Sequence, residues 1–193
     1  MKKWVFLALA ILCVTLTIPA EPLTGFLGVS FGSSMDDAKT AMAPRNFGEP
    51  FKGANLLVWE KAKFAGRDAT LFFSFYNGKL YDGLAIITAD NGKAFSTYNS
   101  MKDDMTAKYG EPTDNIEQYK YPYTKGDGHE ETALYANAAT IFCRWVFDSG
   151  DFIHIMLHYD KPSTSNEVVI SYIYKVLNDA SLDKTNTTNQ RDL

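Results

Sequence analysis

The sequence predicts an α+β fold built from two tandem helix-then-antiparallel-sheet units, with the helices packed on one face of the sheet. Three observations predict it. Phe47-Gly48-Glu49-Pro50 recurs 62 positions later as Tyr109-Gly110-Glu111-Pro112. Aromatic-Gly-x-Pro is a helix stop, because glycine takes the left-handed position after the last turn and proline cannot continue the helix. Each copy follows apolar residues at helical spacing and precedes segments rich in aromatic and β-branched residues. Each unit also carries a hairpin loop, Asn77-Gly78 in the first and Asp148-Ser149-Gly150 in the second. One supersecondary order used twice reads as an internal repeat.

At 193 residues, 46% apolar and 14% aromatic, the chain can bury a substantial core. Residues 1–20 read as a secretory signal, with Lys2 and Lys3 as the basic region, apolar residues 4–18, and a small residue, Ala20, at the cleavage point. The alternative, an uncleaved anchor, needs roughly 20 apolar residues to span a bilayer, more than this run supplies. The chain therefore meets a membrane only through its export signal, and a periplasmic or secreted location follows. Leu12 stands before Cys13 where lipoprotein processing needs a small residue, which excludes lipidation. Without residues 1–20 the formal charge moves from −4 to −6, 17 basic against 23 acidic residues. An acidic chain with no basic cluster is no nucleic-acid binder. Cys143 is then the only cysteine, so no intramolecular disulfide forms, and its place in the apolar run 141–147 predicts a buried, inert thiol.

The first unit covers residues 21–90. Residues 21–32 form an entry segment. Ser33 or Ser34 caps a helix with Asp36 and Asp37 in its first turn, Met35, Ala38, Ala41 and Met42 mark its buried side, and Pro44 limits its length. Strands follow over 56–64, 69–76 and 79–88. Asn77-Gly78 is a two-residue loop needing positive φ at both positions, and it sets Tyr76 opposite Lys79. In that register Leu71, Phe73 and Phe75 share the core face with Leu80, Leu84 and Ile86. Phe72, Tyr76, Tyr81 and Ile87 take the other face. Asp82 falls on the core side opposite Phe73, reaching water near the hairpin tip.

The second unit covers residues 91–177. Asp90 or Asn91 opens a helix whose Phe95, Tyr98, Met101, Met105 and Tyr109 line one side, a core stripe rather than a cofactor box. A strand over 116–123 and a polar loop over 124–131 precede strands 140–147 and 152–159. A three-residue loop with Gly150 left-handed pairs Phe147 with Asp151 and Trp145 with Ile153. This keeps Ile141, Cys143, Trp145, Phe147, Ile153, Ile155 and Leu157 on one face, whereas a loop longer by one residue places Arg144 among them. A last strand spans 168–176. Residues 178–193 are polar and are expected to be a disordered tail.

No catalytic motif appears. His154 and His158 are four strand residues apart, roughly 13 Å, too far to share one metal ion. The loop around His129 lacks the alternating carboxylates of a calcium site. Asp103-Asp104 and Glu130-Glu131 read as solubilising pairs. No cofactor and no metal are expected, and the chain is read as non-enzymatic. A hydrolase assembled from residues gathered in space is the third reading. What remains is the sheet face turned from the core, with candidate partner-binding residues Phe72, Tyr76, Tyr81, Phe142, Arg144, Phe152, His154, Met156 and His158. Aromatic, Met and Arg side chains are enriched in protein contacts. The leading expectation is a protein partner. The alternative is a small apolar ligand such as a lipid, held between sheet and helices. The face also has bland uses: coverage by the chain's own loops or entry segment, or pairing in a homodimer.

Phe31-Gly32-Ser33-Ser34 leading into the first helix, the two Gly-Glu-Pro stops, and the Asn77-Gly78 and 148–150 hairpins together resemble the tandem-repeat architecture of the beta-lactamase inhibitory protein. Each unit also looks like the small outer-membrane assembly lipoproteins of the BamE (SmpA) type. The resemblance implies a concave sheet surface that clasps a partner. Two departures limit it: the chain without residues 1–20 lacks the inhibitor's disulfides, and residues 1–20 lack the lipoproteins' lipobox.

Overall fold

The computed structural model describes residues 22–191, so residues 1–20, read as the export signal, lie outside the described residues. The fold is α+β, with one large antiparallel sheet of eight strands and four helices among the described residues. None of these helices is long and apolar enough to cross a membrane.

The chain opens with a small hairpin, β1 (Gly25–Phe26) and β2 (Val29–Ser30). Helix α1 (Met35–Met42) starts with a reciprocal cap: the Ser34 hydroxyl accepts from the Asp37 N–H at 3.2 Å, and the Asp37 carboxylate accepts from the Ser34 N–H. A 3-10 turn (Ala43–Arg45) then ends on Asn46 in the left-handed conformation, two residues before Gly48. Strands β3 (Phe51–Lys52), β4 (Leu56–Phe64), β5 (Arg67–Tyr76) and β6 (Lys79–Ala89) follow. Helix α2 (Ala94–Tyr109) stops at Gly110, whose φ is 82°. After it come β7 (Asp114–Tyr119), α3 (Glu130–Tyr135), β8 (Ala139–Val146), β9 (Phe152–Asp160), β10 (Ser165–Ile173) and α4 (Lys175–Arg191). The strand order is β3-β4-β5-β6-β10-β9-β8-β7, with β6 and β10 paired antiparallel at the centre.

Gly110 ends α2 as expected, whereas the first helical segment already ends at Asn46, before Gly48, yet the two Gly-Glu-Pro segments share another structural duty. The Trp59 indole N–H donates to the Gly48 carbonyl at 3.1 Å, and the Trp145 indole N–H donates to the Gly110 carbonyl at 2.7 Å. Each buried tryptophan thereby finds the partner its N–H requires.

One face of the sheet carries the core. Leu71, Phe73, Leu80, Ala85, Ile153, Ile155 and Ile170 are fully buried on it, with Met101 of α2 and Phe26 of the β1–β2 hairpin. Gly83 is a close-approach glycine: a Cβ there would lie 2.2 Å from the Phe26 ring, so only glycine lets that ring lie against β6. Cys143 is buried, and burial holds its thiol above the ordinary range.

The predicted second hairpin is the observed one. Trp145 pairs with Ile153, the Phe147 N–H donates to the Asp151 carbonyl, and Gly150 is left-handed. The first hairpin needs correction. Tyr76 does oppose Lys79, but a β-bulge follows, so Phe75 pairs with Leu80 while Ser74 pairs with Asp82. The extra residue, Tyr81, shifts every later position by one. Leu84 and Ile86, expected in the core, lie on the opposite face. Ile87, expected outside, is buried, and Asp82 moves to the outer face with Gly83 taking its place opposite Phe73.

Two further expectations change. Glu131, expected as half of a solubilising pair, lies in α3 and accepts from the Gly92 and Ala94 N–H groups at 3.2 and 3.1 Å, capping α2 in place of Asp90 or Asn91. The chain from Lys175 to Arg191, expected to be mostly disordered tail, is helical. Helix α4 packs against β5 and β6, and its Lys184 ammonium stands 6.0 Å above the Tyr76 ring, on the face opposite the core and α2, so the helices do not share one face as expected.

Candidate partner-binding face

The outer face is ordered in rows that cross the sheet. One row runs Asp114, Arg144, His154, Ser171, Leu84, Phe72, Val58, Phe51. The next runs Ile116, Phe142, Met156, Val169, Ile86, Thr70, and on the other side lie Val146, Phe152, Ile173, Asp82, Ser74, Leu56. Ser171 and Val169, at the centre, are buried between larger neighbours.

The second half of the face is a locked cluster. Asp114 on β7 grips Arg144 on β8 through both Nε (2.8 Å) and Nη2 (2.5 Å). The guanidinium carbon lies 5.8 Å from the Phe142 ring and 5.9 Å from the Phe152 ring. His154 stacks on Phe152 at 6.0 Å and tilts against Phe142 at 5.8 Å. Burial, and secondly the Arg144 charge, push the His154 pKa below its ordinary value, so the ring is neutral at neutral pH. Arginine and Asp114 cancel, leaving a preorganised aromatic and guanidinium platform with no net charge. Beside it Val146 is 44% and Met156 37% exposed.

The first half of the face differs. Phe72 is half-buried between Val58 and Leu84. Tyr76 lies under Lys184, and the Tyr81 carbonyl accepts from the Tyr174 N–H at 2.8 Å as the chain turns into α4. Beside them, burial raises the Asp82 pKa to about 6, partly offset by the Ser74 hydroxyl, which donates at 3.2 Å; the other carboxylate oxygen has no partner. The nine predicted residues therefore split. Phe142, Arg144, Phe152, His154 and Met156 come together, whereas Tyr76 and Tyr81 adjoin α4.

His158 stands apart from the cluster, its Nε2 3.9 Å from Glu167 Oε2. Ser163 and Ser165 share a hydrogen bond between hydroxyl oxygens 2.6 Å apart, which leaves one of the two hydroxyls to donate to Glu167 at 3.5 Å, and burial raises that carboxyl's pKa. Among the described residues no three His, Cys, Asp or Glu side chains gather as metal ligands. Asp114 was missed because the strand predicted over 116–123 begins too late to include it. Leu84 and Ile86 were missed because of the bulge.

A second concavity lies on the other side of the sheet. A cleft of ≈ 500 Å³ is lined by Leu23 and Val29 of the entry hairpin, Met101, Met105 and Tyr109 of α2, and Tyr172 of β10. The Tyr172 hydroxyl lies 3.6 Å from Met105 Sδ.

No protein-family model, curated protein or solved structure matches the chain.

Proposed function

We propose that this is an exported, non-enzymatic binding protein that engages a protein partner through the outer face of β8, β9 and β10. The carrying observation is the Arg144 cluster: an arginine donating twice to one Asp114 oxygen, between two phenylalanines and a neutral histidine, half-exposed and bordered by Val146 and Met156. Aromatic and arginine anchors held rigid before binding lose little entropy on docking, which is what binding hot spots require. The same proposal reads the chain as two helix-then-sheet units, over residues 21–90 and 91–177, joined through β6 and β10. The paired tryptophan bonds to Gly48 and Gly110 support that reading. The resemblance to the beta-lactamase inhibitory protein points to the same kind of surface.

Phe142→Asp and Phe152→Asp, each checked for a native circular dichroism spectrum, are expected to lose capture of the partner from a cell-envelope extract of the source organism. Undiminished capture by both folded variants would overturn the proposal.

A second reading rests on the α2 cleft of ≈ 500 Å³, where Arg45, Asp104 and Lys108 stand beside Met101, Met105 and Tyr172, a lining that suits a small ligand with an apolar body and a polar end, such as a lipid. Native mass spectrometry separates the two: a co-purified small apolar mass favours the carrier.

A further inference from the structure

The eight-stranded sheet ends in two edges that are built differently. At one end, the Gly53 N–H donates to the Leu56 carbonyl, so Phe51 and Val58 form the hydrogen-bonded pair and Lys52 alone turns its main chain outward. That edge is one residue long, carries a lysine and follows Pro50, all devices that block strand pairing. At the other end, the Lys120 N–H donates to the Ala138 carbonyl at 2.7 Å. The pairs in phase with it, Gln118–Thr140, Ile116–Phe142 and Asp114–Arg144, are therefore the bonded ones. Asn115, Glu117 and Tyr119 turn their N–H and C=O groups away from β8, and β8 is the only strand neighbour of β7 among the described residues.

This second edge lacks the first one's defences. β7 contains no proline, lysine or bulge. Its two charges are already paired, Asp114 with Arg144 and Glu117 with Lys125 at 2.5 Å, and Asn115 accepts from Lys102 at 3.0 Å. Lys102, held by the neutral Asn115 amide, is the charge an incoming strand meets at this edge. The outer row beside it, Ile116 then Phe142, is apolar, whereas the inner side offers Asn115, Glu117 and Lys125.

We propose that β7 is a strand-addition site: an extended segment of the partner protein, apolar on one side and polar on the other, pairs with Asn115, Glu117 and Tyr119 and extends the outer face. This rests on the proposed partner-binding function and supplies its docking mode. Main-chain bonds give such an interaction its affinity, and alternate side chains give its specificity.

The test uses the chain without residues 1–20 and a blocked eight-residue peptide of alternating threonine and valine. Saturating peptide is expected to slow hydrogen exchange at the Asn115, Glu117 and Tyr119 amides at least tenfold and to leave Lys52 unchanged. Glu117→Pro, which removes an N–H that β8 does not use, is expected to abolish the effect. The same peptide N-methylated at alternate residues is expected to have no effect, and it decides the matter should Glu117→Pro fail to fold. Unchanged exchange at all three amides with millimolar peptide overturns the proposal. So does slowing that appears without peptide and grows with protein concentration, since it assigns the edge to a second copy. Phe152→Asp and Phe142→Asp, on the outer face and away from the outward main chain of Asn115, Glu117 and Tyr119, keep the two readings separate: undiminished capture by both while peptide protection persists overturns the face and not the edge.

Discussion

Asp82 shows what one residue's position decides. A carboxyl on the regular strand register would oppose Phe73 in the core, but the bulge turns it outward beside Ser74, where it remains poorly hydrated. Its folded pKa of about 6 lies above the ordinary carboxylate value. A raised acid pKa means the folded state prefers the proton, so the contribution is complete below about pH 4 and is lost as pH climbs through 6. Asp82→Asn is expected to flatten this part of the urea-denaturation profile and to be the more stable chain at pH 7, by roughly 1–3 kcal/mol. Parallel pH profiles for variant and wild type would refute the assignment. His154 acts in the opposite sense, since its depressed pKa makes folding less favourable as pH falls below about 6.5. The difference between Asp82→Asn and wild type cancels that effect.

At the scale of elements, the helix termini show how far apart in sequence a local need and its solution can lie. Helix α1 is capped by its own Ser34, three residues from Asp37. Helix α2 has no side-chain cap from Lys93 and takes its acceptor from Glu131, which is 37 residues from Ala94. A carboxylate at a helix N-terminus satisfies orphan N–H groups and meets the positive end of the helix dipole. Glu131→Ala is expected to cost about 1 kcal/mol and to speed exchange in the first turn of α2, whereas Glu131→Gln retains part of the cap. Equal exchange in all three proteins would show that Glu131 contributes nothing there. Asn166 also donates to Glu131 at 3.4 Å, so the same carboxylate ties α2 to β10.

Over the whole molecule, β6 and β10 fuse two halves of the chain into one sheet. Eight residue pairs join them, from Asn166 with Ala89 to Ile173 with Asp82, and the core is continuous from Trp59 to Trp145. Neither half can expose its side of that seam without stranding main-chain donors and apolar surface together. Trp59 and Trp145 report on opposite halves. In the chain without residues 1–20, Trp59→Phe and Trp145→Phe each leave one reporter, and their urea transitions, each referred to the same variant's far-ultraviolet transition, are expected to coincide with it. A fluorescence midpoint displaced from the far-ultraviolet midpoint in either variant would mean the halves unfold separately.

Local chemistry was legible from sequence. Ser34 and its acidic first turn, the Asn77-Gly78 loop, the stop at Gly110 and the Trp145–Ile153 register all depend on residues close together, where φ preference, capping and strand alternation act alone. The same locality exposed the Arg144, Phe142, Phe152 and His154 cluster, since alternation along two paired strands suffices to gather it. Tertiary structure decided the rest. The bulge at Tyr81 coincides with Phe26 lying against Gly83, with the Gly32 and Ser33 main-chain bonds to Leu80, and with Tyr174 donating to the Tyr81 carbonyl. Asp114 joins Arg144 only once β7 is set beside β8. Helix α4, a polar stretch with few apolar residues of its own, packs against β5 and β6. Each of these outcomes is determined by a neighbour distant in the chain, and no periodicity within a segment can carry that information.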